Sequence, residues 1–220
     1  MKKIIASVFA AALLLMGTEA FAQLVPGAGY LFSAEKGKND KTSEKEEYKL
    51  NGFYVGASYN IPLVAGLGIA PGLYADMLFY NGEATNVYAQ AVSTSVSQRY
   101  TELAINLPVN LNYRFELGDN AALWAFAGPV FQCGIVARST YNGRIDIGPI
   151  HINEGDAYNH YDPEDGDTNR FNIYMGGGLG FQLGDLLLTV GYDHNLLNID
   201  RTQGWKTNRN QIKVGINFAF

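Results

Sequence analysis

Gln211-Ile212-Lys213-Val214-Gly215-Ile216-Asn217-Phe218-Ala219-Phe220 is the stretch whose reading decides the fold. Successive side chains of a strand point to opposite faces, so Ile212, Val214, Ile216, Phe218 and Phe220 share one side. Lys213, Gly215, Asn217 and Ala219 share the other. One flank is apolar, and the other is polar or small. Glu102 to Phe115 repeats the pattern over a longer run. Leu103, Ile105, Leu107, Val109, Leu111, Tyr113 and Phe115 oppose Glu102, Ala104, Asn106, Pro108, Asn110, Asn112 and Arg114. No helical period separates these two sets. The run exceeds the five or six residues usual in a soluble sheet and suits a tilted membrane strand of about 9–11.

Working outward, Phe53–Ile61, Ile69–Phe79, Phe171–Gln182 and Leu186–Asp193 alternate in the same way, and Gly27–Ala34 and Ala121–Arg138 read as extended. That makes roughly eight strands, an even number suited to antiparallel closure. The joins near Asn60–Gly66, Glu116–Asn120 and Gly184–Asp185 are short. Those near Glu35–Glu47, Asn81–Ser97, Ser139–Thr168 and Asp200–Lys206 are longer, and the two classes alternate. Short turns at one end and long loops at the other are the habit of a membrane barrel. The fold class expected is therefore all-β: a transmembrane up-and-down antiparallel β-barrel of eight strands.

Lys2 and Lys3, the apolar run Ile4 to Met16, and Ala20-Phe21-Ala22 have the order of a secretory signal, so residues 1–22 are read as a signal peptide and 23–220 as the barrel domain. The apolar run is too short for a spanning helix, and no later run is longer. Mean hydropathy is −0.06, a value uninformative for a barrel in which only alternate residues meet lipid. The formal net charge of −5, with no basic run, argues against nucleic-acid binding. Cys133 stands alone and reads as a small apolar strand residue.

On Glu102-Leu103-Ala104-Ile105-Asn106-Leu107-Pro108, Ala127-Gly128-Pro129, Gly191-Tyr192-Asp193-His194 to Asn198-Ile199, and Phe218-Ala219-Phe220, the chain resembles the small outer-membrane barrels of Bacteroidetes. This is a porin-like or PorT-like family akin to the OmpA/OmpX type of eight-stranded barrel. The resemblance implies location in the bacterial outer membrane, insertion by the outer-membrane assembly machinery through the terminal Phe220, and no catalytic residue set.

About eight strands leave an interior just wide enough for side chains to fill. The inward set includes Tyr54, Tyr74, Asp76, Glu102, Asn106, Arg114, Tyr174, Asp193 and Lys213, so a wide solute channel is not expected. Asp76, Glu102 and Lys213 are expected to form one lumen polar network, because an unpaired buried charge costs several kcal/mol. The carboxylate-rich Asp162-Pro163-Glu164-Asp165-Gly166-Asp167 offers ligands for a hard cation such as calcium but lacks EF-hand spacing, so it reads first as a solvated stretch. His151 and His160, near Glu154, Asp156 and Asp162, are residue types that bind a transition metal; the reading preferred is a solvated loop, and no cofactor is expected. The mixed-charge run Glu35 to Glu47 reads as a solvated external loop able to meet lipopolysaccharide phosphates.

The expected function is thus a monomeric outer-membrane barrel with a filled lumen and a structural or surface-binding role through its loops, in contact with outer-membrane lipids and lipopolysaccharide, without catalysis. The chief rival is a soluble periplasmic lipocalin-like barrel with the oily faces turned inward around an apolar ligand. A third class is an outer-membrane lipid-modifying enzyme. It would need a nucleophile, a base and an orienting acid in reach. His194 beside Asp193 is the base candidate on a strand, yet adjacent strand residues face opposite ways.

Overall fold

The computed structural model describes residues 23–82, 85–89, 92–147 and 150–219. Residues 1–22, the stretch read as a signal peptide, and residue 220 lie outside the described residues. The described residues form ten strands: β1 (Gln23–Asn39), β2 (Lys45–Val64), β3 (Leu67–Asn81), β4 (Thr85–Ala89), β5 (Val92–Gly118), β6 (Ala121–Ile147), β7 (Ile150–Asn159), β8 (Phe171–Leu183), β9 (Leu186–Asn195) and β10 (Trp205–Phe218). All pairings among them are antiparallel. Eight strands close a ring in the order β1-β2-β3-β5-β6-β8-β9-β10, with β10 pairing back to β1. Closure leaves no free edge around the ring.

The faces settle which solvent the barrel meets. Leu107, Leu111, Leu179, Val190, Val214 and Ile216 are exposed on the outside, whereas Asn106, Gln132, Asn172 and Gln211 are buried in the middle. A soluble barrel holding an apolar ligand would show the reverse, so the lipocalin-like arrangement is ruled out. The outer surface is a continuous apolar belt of the kind hydrocarbon stabilises.

At one end the strands are joined by two-residue turns. Ala65 and Gly66 link β2 to β3 with φ of 49° and 84°, the pair of positive angles a type I′ hairpin turn requires. Above this end, Val25, Ala122, Trp124, Leu187 and Ala219 pack as an apolar floor, and the buried Trp124 indole donates to Gln182 Oε1 at 2.8 Å.

The other end differs from the loops expected there. The run Glu35 to Glu47 is mostly strand: β1 continues to Asn39 and β2 resumes at Lys45. The connection expected over Asn81–Ser97 contains β4 and the start of β5. The one expected over Ser139–Thr168 contains the end of β6 and all of β7. β5 and β6 run 27 residues each, roughly 90 Å of chain at about 3.4 Å per residue, well beyond a belt about 25 Å tall. Their outer halves pair with each other and are flanked by β4 and β7, so a four-stranded sheet projects past the membrane. Within it, Arg144, Ile145, Asp146 and Ile147 pair with Asn153, Ile152, His151 and Ile150.

Two irregularities interrupt the β5–β6 ladder, one between Glu116 and Gly118 and one between Leu103 and Ala104. Leu103 pairs with Val136 and Ala104 with Gly134, leaving Ile135 as an extra residue. The bulge turns Ile135 and Val136 both outward, and from there on the odd-numbered residues of β6 face the lumen.

Candidate functional site

Inward residues of β1, β3, β5, β9 and β10 build two charged clusters stacked along the lumen. In the lower one, Lys213 Nζ lies 3.0 Å from Asp193 Oδ2 and 3.5 Å from Asp76 Oδ2. It borders a cavity of about 150 Å³ that also touches Tyr54, Tyr74, Asn106 and Asn217. In the upper cluster, Arg209 Nη1 and Nη2 donate to the two oxygens of Glu102 at 2.9 and 2.6 Å. Arg209 Nε donates to Glu35 Oε1 at 2.7 Å. The hydroxyls of Tyr100 and Tyr161 also donate to Glu102, at 2.8 and 2.9 Å. Asp76 and Lys213 lie together, whereas Glu102, expected in one network with them, sits in the upper cluster and takes Arg209 as its cation. Between the clusters, Tyr174 donates to Gln132 and Gln132 to Asn106, both at 3.1 Å. The cross-section there is filled by side chains.

Tyr161 arrives from outside the ring. It belongs to the connection between β7 and β8, yet it is buried. A Cβ at Gly134 would stand 2.2 Å from its ring, so a glycine at 134 is what lets the ring seat against the wall. Arg170 clamps the Tyr161 carbonyl at 3.0 and 2.7 Å. Arg201 ties the same connection to the one between β9 and β10, donating to the carbonyls of Asp162 and Pro163 at 3.0 and 3.3 Å.

Above Arg209 the barrel opens into a mouth of about 260 Å³, walled by Tyr48, Leu50, Tyr80 and Tyr100 and reached by Ser139, His160 and Asp167. Here a chain of hydrogen bonds runs along one side. Ser139 Oγ lies 2.7 Å from His160 Nε2, and His160 Nδ1 lies 2.8 Å from Asp167 Oδ1. With the ring proton on Nδ1, the hydroxyl donates to Nε2 and the ring donates to the carboxylate, so every partner is matched. Burial tends to raise the Asp167 carboxyl, but the hydrogen bonds from His160 and Thr168 outweigh it and hold the carboxyl below its ordinary range. Gln98 Nε2 donates to Tyr141 Oη at 3.1 Å and stands 3.5 Å from Ser139 Oγ.

The other sequence candidates are placed as follows. Asp193 faces the lumen, and His194 faces out, its Nδ1 2.7 Å from Asn210 Oδ1; they form no pair. Asp162 Oδ1 accepts the amides of Glu164 and Asp165 at 2.9 and 3.3 Å, a local turn that holds its carboxyl low. Among the described residues no group of three or more His, Cys, Asp or Glu is arranged to hold a metal ion. The side chain of His151 lies outside the described ones. Arg209, Ser139 and Tyr161 are the site residues that reading the sequence missed.

On the outer face, alternation sorts the mixed-charge run. Lys38 stands directly opposite Lys45 on one side and Lys206 on the other, and all three are exposed, as are Lys36 and Lys49. Glu35 and Glu46 face the mouth. Like charges set directly across a sheet are destabilising unless neutralised. Asp40 supplies part of this at 2.8 Å from Lys206, which holds the Asp40 carboxyl below its ordinary value.

A family model described as outer membrane protein beta-barrel domain matches residues 21–201. No curated protein matches the chain. Among solved structures, Ail of Yersinia pestis in complex with the heparin analogue sucrose octasulfate is 10% identical, with 90% of this chain and 99% of that one covered and a TM-score of 0.40. Neisserial surface protein A is 13% identical over the same shares, with a TM-score of 0.40. The outer membrane enzyme PagL is 10% identical, with 86% and 99% covered and a TM-score of 0.34. None of these three likenesses bears on function.

Proposed function

Because this chain belongs to the family of outer membrane protein beta-barrel domains and sits in the bacterial outer membrane, we propose that it acts at the cell surface as a monomeric, closed-lumen barrel and not as a solute channel. The observation that carries this is the Glu35–Arg209–Glu102 cluster, whose arginine is 2% exposed at its side chain and spans the lumen between two carboxylates. Side chains of this kind fill a ring of eight strands, whereas aqueous channels belong to rings of about 16 or more. The projecting sheet of β4 to β7 and the mouth it borders are the contact surface. Lipopolysaccharide is the neighbour suited to the Lys206–Lys38–Lys45 row, since its phosphates neutralise adjacent ammonium groups. The assembly machinery acting on the terminal Phe220, and a Bacteroidetes source, complete the proposal.

Recording from the protein in planar bilayers tests the closed lumen. The expected trace has no steady step of porin size, and such a step from folded protein would refute the reading. In the same preparation, replacing Lys38, Lys45 and Lys206 together by Gln should lower the lipopolysaccharide retained through purification. Retention equal to that of the parent would remove the lysine row from the account.

A further inference from the structure

We propose that Ser139, His160 and Asp167 form a hydrolytic site in the outer mouth of the barrel, acting on small carboxylic esters that enter from outside the cell. This goes beyond surface binding and departs from the expectation of a barrel without catalysis. Three separate elements supply the parts: β6 carries Ser139, the β7–β8 connection carries His160 and Asp167, and β5 carries Gln98. Nucleophile to base is 2.7 Å and base to orienting acid 2.8 Å, the reach such a relay needs. The constellation is recognised by geometry and role, so the absence of a strand-to-helix elbow around Ser139 does not disqualify it.

The chemistry balances with water as the one co-reactant. Ser139 Oγ attacks the ester carbonyl carbon while its proton passes to His160 Nε2, and the carbonyl electron pair moves onto oxygen. Collapse expels the alcohol oxygen, which takes the proton from His160, leaving the acyl group on Ser139. Water then attacks that acyl carbon, gives its proton to His160, and the returning proton frees Ser139 and the carboxylic acid. Asp167 is a positioning residue: its bond to Nδ1 fixes the tautomer and steadies the imidazolium. Gln98, held by Tyr141 and 3.5 Å from Ser139 Oγ, is the amide donor placed to meet the oxyanion.

Substrate class follows from where the site faces. The bulge at Ile135 turns Ser139 into the lumen and away from lipid, so a bilayer lipid has no direct approach. The mouth of about 260 Å³ offers the rings of Tyr48, Tyr80 and Tyr100 with Leu50 beside them. That wall suits a short acyl or aryl group.

The test uses the full chain, folded in detergent, with folding checked by heat-dependent gel mobility. The probes are p-nitrophenyl acetate and butyrate for turnover, and a fluorophosphonate for covalent capture. Expected are p-nitrophenol release above the blank and a phosphonate adduct on Ser139. Ser139→Ala should abolish both. Asp167→Asn should lower kcat on the order of 10⁴-fold with little change in KM, and Asp167→Glu should restore part of it, which loss of a mere structural tie would not produce. Gln98→Ala should cost roughly 100- to 1,000-fold in kcat. Folded protein that gives no adduct at Ser139, or turnover that survives Ser139→Ala, overturns the site. Faster release of acyl chains from lipopolysaccharide or phospholipid than from the soluble esters overturns the substrate class. A detergent assay does not depend on lumen conductance, so its failure and the failure of the closed-lumen reading are separate events.

Discussion

Replacing Arg209 by Met should destabilise the barrel by about 3–5 kcal/mol, the usual cost of removing one partner from a buried ion pair. The loss is large because Arg209 serves two carboxylates at once. Its guanidinium takes both oxygens of Glu102, and its Nε meets Glu35. Glu102 is 1% exposed, so water cannot take over. Tyr100 and Tyr161 would remain as donors to Glu102, but neither carries positive charge. Denaturant unfolding in micelles measures the cost. The double variant Arg209→Met/Glu102→Gln should recover a substantial part, since it removes the orphaned charge as well. A single variant as stable as the parent would show that the cluster contributes nothing to holding the barrel.

The second large effect concerns the opposite face of the same strands. Val109 lies midway along the outward apolar run of β5 from Leu103 to Leu117 and is 41% exposed. On a surface bathed by water, an exposed valine accepts substitution by arginine at almost no cost. Facing hydrocarbon near the bilayer midplane, Val109→Arg should cost about 2–4 kcal/mol, falling to about 0–1 near the interfaces. Leu117→Arg, beside the short turn at Asp119 and Asn120, is the interfacial control. Unfolding titrations in lipid should show the midplane variant shifted well beyond the control. Equal, negligible shifts would mean that the belt does not face hydrocarbon.

Much of the barrel is legible from alternation because half of each strand meets lipid and half meets the lumen, so composition changes at every residue. That contrast is strongest at Glu102–Phe115 and over residues 211–219, where the expected faces agree with the structure. It fails where both faces are polar. Beyond the membrane, Lys36, Lys38 and Lys45 point out while Glu35 and Glu46 point in, and charge alternates in place of hydropathy. A reading tuned to apolar residues ends the strands there and sees a loop.

The site was legible in part for related reasons. Asp76 and Lys213 meet because each sits in the inward phase of a regular strand. Arg209 shares the phase of Gln211 and Lys213, a signal the sequence carries once β10 is extended back to Trp205. Ser139 is different in kind. Parity counted from Trp124 or Gln132 sends it outward, and only the bulge at Ile135 reverses this. Its meeting with His160 and Asp167 depends further on a connection folding back over the mouth, held by Tyr161, Arg170 and Arg201. No local pattern encodes that return.

The apolar flank of each ring strand lies against hydrocarbon, and the polar flank fills the centre. Site-directed spin labels read this directly when placed at Leu107, Leu179 and Ile216 outside, and at Asn106 and Gln132 inside. Cys133 is exposed and is first replaced by Ala. In reconstituted bilayers the outer three labels should collide readily with dissolved oxygen and hardly with a water-soluble nickel chelate, while the inner two stay shielded from oxygen in the bilayer. Labels at 107, 179 and 216 that respond to the chelate and not to oxygen would contradict it.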